Sequence, residues 1–130
     1  LSDFSGKIVF IDFWFTGCVT CREYYERIVK PTEEYFKENN KVVFVTINID
    51  QDTNTWKKSL HDTRYIYTSK QAINLSTAGR GMNDPVVQRL NIQAYPTSIL
   101  VGADGKMITR SFNDVRTDAA TLIKVIGAAL

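Results

Sequence analysis

Cysteine, histidine and proline are all scarce in this chain of 130 residues, which has two cysteines, one histidine and three prolines. Two cysteines cannot form the multiple-disulfide framework that small secreted scaffolds use in place of a large core. A structural zinc site needs four protein ligands, and two cysteines with the single His61, which lies in a polar stretch, fall short of that number. At 44% hydrophobic residues, the chain is long enough to bury a core without cross-links.

Excess charge of one sign and long apolar runs are also missing. The formal net charge is +2, and the lysines and arginines are scattered, which argues against a nucleic-acid surface with clustered cations. No apolar run approaches the roughly 20 residues that cross a bilayer as a helix. We expect residues 1–130 to form a single domain. Because the chain begins at Leu1 rather than Met, it is compatible with excision from a longer or membrane-anchored precursor.

Strand-like and helix-like patterns alternate along the chain, which predicts an α/β fold. The strand predictions, which rest on β-branched and aromatic runs, are residues 7–15, 41–50, 64–69, 95–101 and 106–112. The helix predictions, which rest mainly on apolar residues at helical spacing, are residues 22–40, 53–62, 84–90 and 116–130. The first strand is expected to be central and buried on both faces. The last two strands should form a hairpin that adds an antiparallel edge to the sheet.

Three local features refine these predictions. Pro31 lacks an N–H and should kink or divide the first long helix, with Thr32 helping it to restart. Asp84 is expected to cap a helix whose first residue is Pro85. Residues 74–84 are rich in Gly, Ser and Asn and are predicted to form a loop.

The two cysteines, Cys18 and Cys21, lie two residues apart, between the first predicted strand and the first predicted helix. Four uses of such a pair are open: metal binding, a structural disulfide, burial as small hydrophobic side chains, or redox chemistry. The missing ligands disfavour a metal site, and a bridge across two residues constrains the unfolded chain least of all. Two buried structural thiols remain an alternative, which the position at a strand-to-helix junction disfavours.

Redox chemistry suits this junction because the first turn of a helix has unpaired backbone N–H groups and partial positive charge. A thiolate is stabilised there, so we expect a lowered pKa and nucleophilic reactivity for Cys18. At helical spacing, Cys21 faces the same side, and we expect it to be more buried and to have the higher pKa. Cys21 can then attack a mixed disulfide held on Cys18 and release the partner in its reduced form.

Three segments resemble the thioredoxin superfamily. Residues 10–23 (FIDFWFTGCVTCRE) resemble its active-site segment, residues 47–51 (INIDQ) the end of its next strand, and residues 92–106 (IQAYPTSILVGADGK) its proline loop and hairpin. The chain is most similar to bacterial TlpA/ResA-like thiol–disulfide oxidoreductases, which carry an extra helix and strand in the central region. The resemblance implies a thioredoxin-like α/β fold, with a central mixed sheet flanked by helices. It places the inserted helix and strand in residues 53–62 and 64–69.

The resemblance also implies roles for individual residues. Cys18 and Cys21 correspond to the redox pair, and Pro96 corresponds to the family's cis-proline beside that pair. Asp12 matches the buried acid of thioredoxin, whose pKa burial raises and which can relay a proton to or from Cys21. The lysine that accompanies this acid in thioredoxin is replaced by Thr46, which removes a cation expected to lower the pKa of the acid.

Substrate contacts are expected around the cysteines, where the chain departs from the family pattern. Gly17 stands where the family usually has a tryptophan. Val19 and Thr20 replace the familiar dipeptides between the cysteines, so the reduction potential cannot be taken from a known member. We expect Gly17, Val19, Thr20 and Tyr95 to contact the substrate. Tyr95 and Phe15 should form an apolar rim that receives an extended peptide.

The expected function is enzymatic exchange of the Cys18–Cys21 dithiol or disulfide with protein thiols. The resemblance implies the reducing direction, an upstream electron donor, no cofactor beyond this disulfide, and a periplasmic or cell-envelope location in a bacterium. Two alternatives use the same fold. A copper chaperone typically adds a distant histidine and wider cysteine spacing, and a thiol peroxidase has a Thr and a Pro before its reactive cysteine, of which only Thr16 is present. A module without redox activity is disfavoured because both cysteines and Pro96 are present.

Overall fold

The computed structural model of the chain describes residues 2–62, 69–110 and 118–130. Within these ranges the strands are β1 (Ile8–Trp14), β2 (Val42–Asn48), β3 (Ala72–Ser76), β4 (Thr97–Val101) and β5 (Met107–Arg110). The α-helices in the same ranges are α1 (Val19–Tyr24), α2 (Lys30–Phe36), α3 (Thr53–Ser59), α4 (Pro85–Arg89) and α5 (Ala119–Ala129). A π-helical segment, Tyr25–Val29, joins α1 to α2, and short 3-10 turns span Ser2–Phe4 and Gly81–Asn83.

The strands form one mixed sheet in the order β3-β2-β1-β4-β5. The first three strands are parallel, whereas β4 is antiparallel to β1 and β5 is antiparallel to β4. Every residue of β1 is buried, because this strand has a neighbour on each side and packed side chains on both faces. The predicted α/β class, the central position of β1 and the hairpin at one edge are therefore confirmed.

Two apolar cores lie on opposite faces of the sheet, because successive side chains of a strand point to opposite faces. On one face, Phe10 packs in a cluster with Leu122 of α5 and with apolar residues of the helical stretch after the cysteines. On the other face, Ile11 packs in a cluster with Val87 of α4. Asp12 comes two residues after Phe10 and points to the same face. It therefore lies on the side of the sheet that α1 covers.

The long helix after the cysteines is continuous from Val19 to Phe36 rather than divided at the proline. In the π-helical segment before Pro31, the chain makes a wider turn, in which the Lys30 N–H donates to the carbonyl of Tyr25. Pro31 follows directly, as the second residue of α2. Thr32 lies inside the helix and donates its hydroxyl to the carbonyl of Ile28 at 2.7 Å. The prediction that Thr32 restarts the helix is therefore wrong.

The middle of the chain contains the expected extra helix and, outside the segment predicted for the extra strand, strand β3. Helix α3 falls within residues 53–62, as predicted, and Asp52 caps it by accepting from the Asn54 N–H at 2.9 Å. Strand β3 includes residues 74–76, so the loop prediction for residues 74–84 is wrong at its start. Asn74 pairs there with Thr46 of β2, and this non-local pairing outweighs the polar composition of the segment. Of the strand predicted at residues 64–69, all but Ser69 lie outside the described ranges.

Candidate active site

Cys18 and Cys21 form a disulfide at the start of α1, with their Cα atoms 5.2 Å apart. Cys18 is the N-cap of α1, and its sulfur accepts a hydrogen bond from the Cys21 N–H at 3.2 Å. This is the position that the strand-to-helix junction predicts. In the disulfide form both residues are buried, with 4% of Cys18 and 2% of Cys21 exposed. Cys21 is more buried than Cys18, as expected, but the difference is small.

A carboxylate at the end of β2 holds the turn before the cysteines. Asp50 accepts from the Thr16 N–H at 3.0 Å and from the Thr16 hydroxyl at 2.5 Å. The next residue, Gly17, has φ +88°, a conformation that residues with a side chain rarely adopt. Asp50 was not among the predicted site residues. Because β1 and β2 are parallel, their carboxyl ends lie side by side. Asp50 follows β2 and Thr16 follows β1, so this pairing could have identified Asp50.

The loop before β4 comes next to the disulfide. The peptide bond between Tyr95 and Pro96 is cis, as the resemblance implies. Tyr95 packs against the cluster that contains both cysteines. The Thr20 hydroxyl lies 3.4 Å from the Cys18 sulfur and donates to the carbonyl of Tyr95, also at 3.4 Å. Thr20 thus connects the residues between the cysteines to the proline loop.

Aromatic and aliphatic side chains enclose the buried side of the disulfide. Trp14, from the end of β1, is almost fully buried against the two cysteines. Trp56 of α3 and Leu60, the residue that follows this helix, pack against the same cluster. Sequence reasoning did not place α3 at the site. The i, i+4 spacing of Trp56 and Leu60 indicates an apolar helix face, but it does not indicate which surface that face covers.

The outer side of the site is open and partly apolar. Val19 is 57% exposed, and Gly17 and Thr20 are also exposed. The Phe15 and Tyr95 rings meet edge to face, with centroids 5.8 Å apart, and Phe15 is 36% exposed. The four residues predicted to contact substrate therefore lie around Cys18, and Phe15 lies beside one of them, Tyr95. Their roles in binding remain predictions.

Asp12 lies in a buried polar cluster on the face that α1 covers. It stands opposite Ser98 of β4 and Thr46 of β2 in the sheet. The Ser98 hydroxyl lies 3.1 Å from Asp12 Oδ1 and 3.2 Å from the hydroxyl of Tyr24. Burial and the charge of Asp12 raise the pKa of Tyr24, against the opposing effect of its bond to Ser98. Thr46, at the position of the family's lysine, donates its hydroxyl to Asn74 at 3.0 Å.

The described part of the chain contains no candidate metal centre and no candidate membrane span. Among residues 2–62, 69–110 and 118–130, no three His, Cys, Asp or Glu side chains lie close enough together to hold a metal ion. No helix in those ranges combines the length and the apolar character needed to cross a membrane. His61 is exposed, as predicted.

Comparison with protein families agrees with this geometry. A family model described as thioredoxin-like matches residues 6–107, which is more than half of the chain. The chain therefore belongs to the thioredoxin-like family. Its Cys18–Cys21 pair, at disulfide distance, fits the CxxC redox motif of the thiol–disulfide oxidoreductases in this family.

Three proteins that are similar to this chain are described as thiol–disulfide or disulfide oxidoreductases. The thiol–disulfide oxidoreductase ResA of Bacillus subtilis (strain 168) is 27% identical over 116 residues, covering 83% of this chain and 54% of ResA. The thioredoxin domain of a thiol–disulfide oxidoreductase from Bacteroides vulgatus is 26% identical, with a TM-score of 0.72 and coverage of 98% and 82%. A secreted Mycobacterium tuberculosis disulfide oxidoreductase, homologous to E. coli DsbE, is 20% identical, with a TM-score of 0.69 and coverage of 98% and 85%.

These comparisons confirm the thioredoxin-like fold and the similarity to ResA-like oxidoreductases. The chain spans about half the length of the curated relatives it matches, with 54% of ResA covered. What the whole relatives do is therefore carried to this chain only as a proposal.

Proposed function

We propose that this chain is an enzyme that exchanges its Cys18–Cys21 pair with the thiols and disulfides of other proteins. The observation that carries the proposal is the placement of Cys18. It caps a helical stretch that runs from Val19 to Phe36, and it lies between the open surface at Val19 and the loop at Tyr95. The free N–H groups and the dipole of such a helix end stabilise a thiolate more than a thiol.

In the proposed reducing direction, the Cys18 thiolate attacks one sulfur of a substrate disulfide. A mixed disulfide forms, and the other substrate sulfur leaves as a thiolate that takes up a proton. Cys21 then loses its proton and attacks the Cys18 sulfur, which releases the second substrate thiol and closes the Cys18–Cys21 disulfide. Two electrons pass from the enzyme to the substrate. A dithiol donor must then reduce the enzyme disulfide for the next cycle.

Asp12 is the proposed proton acceptor for Cys21. It is buried on the face that α1 covers, and Cys21 is in the first turn of α1. A buried carboxyl can move a proton to or from a nearby thiol, directly or through water. The proposed substrate contacts are Gly17, Val19, Thr20 and Tyr95, with Pro96 completing the loop beside the disulfide. Three of these contacts are exposed, and Tyr95 packs on the disulfide cluster.

The proposed location is outside the bacterial cytoplasm, in the periplasm or facing the cell envelope. This proposal is supported by the structural relative from Mycobacterium tuberculosis, which is described as secreted. The proposed partners are protein thiols or disulfides and an upstream electron donor. The proposed chemistry uses the Cys18–Cys21 disulfide as its redox centre and no further cofactor.

A turnover assay with matched variants tests this function. Reduction of insulin by dithiothreitol is followed with wild type, Cys18→Ser and Cys21→Ser. We expect wild type to accelerate the reaction, both variants to lose turnover, and only Cys21→Ser to accumulate a mixed disulfide with the substrate. Activity that survives in Cys18→Ser, or a wild type no faster than dithiothreitol alone, would refute the proposal.

A further inference from the structure

A row of polar side chains crosses the interior of the sheet beneath α1. Ser98 of β4 stands opposite Asp12 of β1, Asp12 stands opposite Thr46 of β2, and Thr46 stands opposite Asn74 of β3. Ser98, Asp12 and Thr46 are all buried. Buried polar groups need hydrogen-bond partners. The direction of each bond in this row determines which protonation state of Asp12 the row stabilises.

The bonds around Ser98 have one consistent direction when Asp12 is ionised. A carboxylate only accepts, so the Ser98 hydroxyl donates its single proton to Asp12 Oδ1, 3.1 Å away. Ser98 must then accept from the Tyr24 hydroxyl, which lies 3.2 Å away. Burial and the charge of Asp12 raise the pKa of Tyr24, so the phenol retains the proton that it donates. The chain therefore runs from Tyr24 through Ser98 to the carboxylate.

We propose that Tyr24 and Ser98 are positioning residues, which hold Asp12 as a carboxylate in one orientation through this directed chain of hydrogen bonds. The inference rests on the proposed function, since it concerns the group that would accept the proton of Cys21. Hydrogen bonds to the charged form of an acid favour that form, and bonds in a chain strengthen one another in a low dielectric. Thioredoxin has a lysine where this chain has Thr46. Here the Ser98 hydroxyl, a neutral donor, stabilises the Asp12 carboxylate in place of that lysine.

The groups around Asp12 determine how its charge responds to pH. The titratable groups on this side of the sheet are Tyr24 of α1, Tyr25 of the π-helical segment and, in the reduced protein, Cys21. The facing residues of the neighbouring strands, Ser98 and Thr46, carry no charge. On the same side of the sheet, α5 contributes apolar residues to the core, and α2 contributes Glu33, which accepts from the Ser69 N–H at 2.7 Å.

Removal of the Ser98 hydroxyl should therefore make Asp12 harder to ionise. The step in which Cys21 loses its proton would then require a higher pH. Tyr24→Phe should act in the same direction but less strongly, because Ser98 would still donate to Asp12. Ser98→Thr keeps a hydroxyl at the same position and should restore the wild-type behaviour.

Two measurements test the inference in Ser98→Ala, Ser98→Thr and Tyr24→Phe. Thr32→Val is the matched control, because it removes a buried hydroxyl that donates to the Ile28 carbonyl, in the π-helical segment before α2. The first measurement is the titration of the Asp12 carboxyl in the oxidised protein by carbon-13 NMR, which does not depend on enzymatic turnover. The second is the pH profile of the single-turnover release of the second substrate thiol, which reports the attack by Cys21.

We expect the Asp12 titration and the rate profile of Ser98→Ala to move to higher pH. Its rate on the acidic side of the profile should be about three- to tenfold lower. Ser98→Thr and Thr32→Val should coincide with wild type. Unchanged titration in folded Ser98→Ala, or an equal change in Thr32→Val, would overturn the inference. If insulin turnover is absent but Asp12 titrates as expected, the proposed function fails while the hydrogen-bond chain stands.

Discussion

The hydroxyl of Thr20 lies 3.4 Å from the sulfur of Cys18. The same hydroxyl lies 3.4 Å from the carbonyl oxygen of Tyr95, so one side chain contacts both the cysteine and the loop beside it. Sequence departures from the thioredoxin pattern are concentrated here, since Val19 and Thr20 are the residues between the cysteines. The hydroxyl gives this chain a donor that an apolar residue at the same position would lack.

Replacing Thr20 by valine should lower the reactivity of Cys18. In the reduced protein the hydroxyl can turn its single proton from the Tyr95 carbonyl to the Cys18 thiolate, and this bond lowers the pKa of the thiol. Loss of a hydrogen bond of this kind should slow alkylation of Cys18 near neutral pH about two- to tenfold. The pH dependence of alkylation measures the effect, and Thr20→Ser, which keeps the hydroxyl, is the control. Equal rates in Thr20→Val and wild type would show that the hydroxyl does not act on the thiolate.

Removal of the Asp50 carboxylate should loosen the turn before Cys18. Asp50→Ala leaves the Thr16 N–H and hydroxyl without their acceptor, so the free energy of unfolding should fall by about 1–3 kcal/mol. Urea unfolding of the oxidised protein measures this change. The exposed Asp3→Ala is the control and should change stability by less than about 0.5 kcal/mol. Equal stability of Asp50→Ala and Asp3→Ala would contradict the role assigned to Asp50.

The fold should become less stable in alkaline solution, and Tyr25 should contribute to that loss. Burial, the charge of Glu33 and the bond to Glu33 raise the pKa of Tyr25 above its ordinary value of 10.0. A proton held more tightly in the folded state stabilises the fold fully below pH 10, and this stabilisation is lost as the pH rises further.

Unfolding measured at several pH values above 10 tests this prediction. The free energy of unfolding should fall less steeply with pH in Tyr25→Phe than in wild type, whatever its value at neutral pH. Tyr35→Phe, which changes an exposed tyrosine, should have the slope of wild type. A Tyr25→Phe slope as steep as that of wild type would remove Tyr25 from this account.

The sequence predicted those parts of the fold and site that depend on local pattern. Strand β1 is a continuous apolar run, and α4 begins with the capping Asp84 and with Pro85, so their sequences alone identify them. The placement of Cys18 at a helix N-terminus was predictable because the strand-like pattern of the sequence ends, and the helix-like pattern begins, at this residue. The cis bond before Pro96 followed from the family resemblance rather than from the residues themselves.

The parts that the sequence did not predict depend on partners distant in the chain. Strand β3 has a polar sequence and forms through its pairing with β2. Trp56 reaches the disulfide only because α3 folds over the end of β1. Ser98 meets Tyr24 because β4 lies beside β1 beneath α1, a contact between residues 74 positions apart. Local propensity carries no information about such contacts.

The central claim is that Cys18, not Cys21, is the attacking sulfur, and limited alkylation tests it most directly. The reduced wild-type protein is treated at neutral pH with less iodoacetamide than thiol, and the modified cysteine is identified by fragmentation mass spectrometry. Both cysteines lie between Lys7 and Arg22, so fragmentation within one tryptic peptide must distinguish them. We predict that the label is found predominantly on Cys18. Label found equally on both cysteines, or mainly on Cys21, would contradict the account.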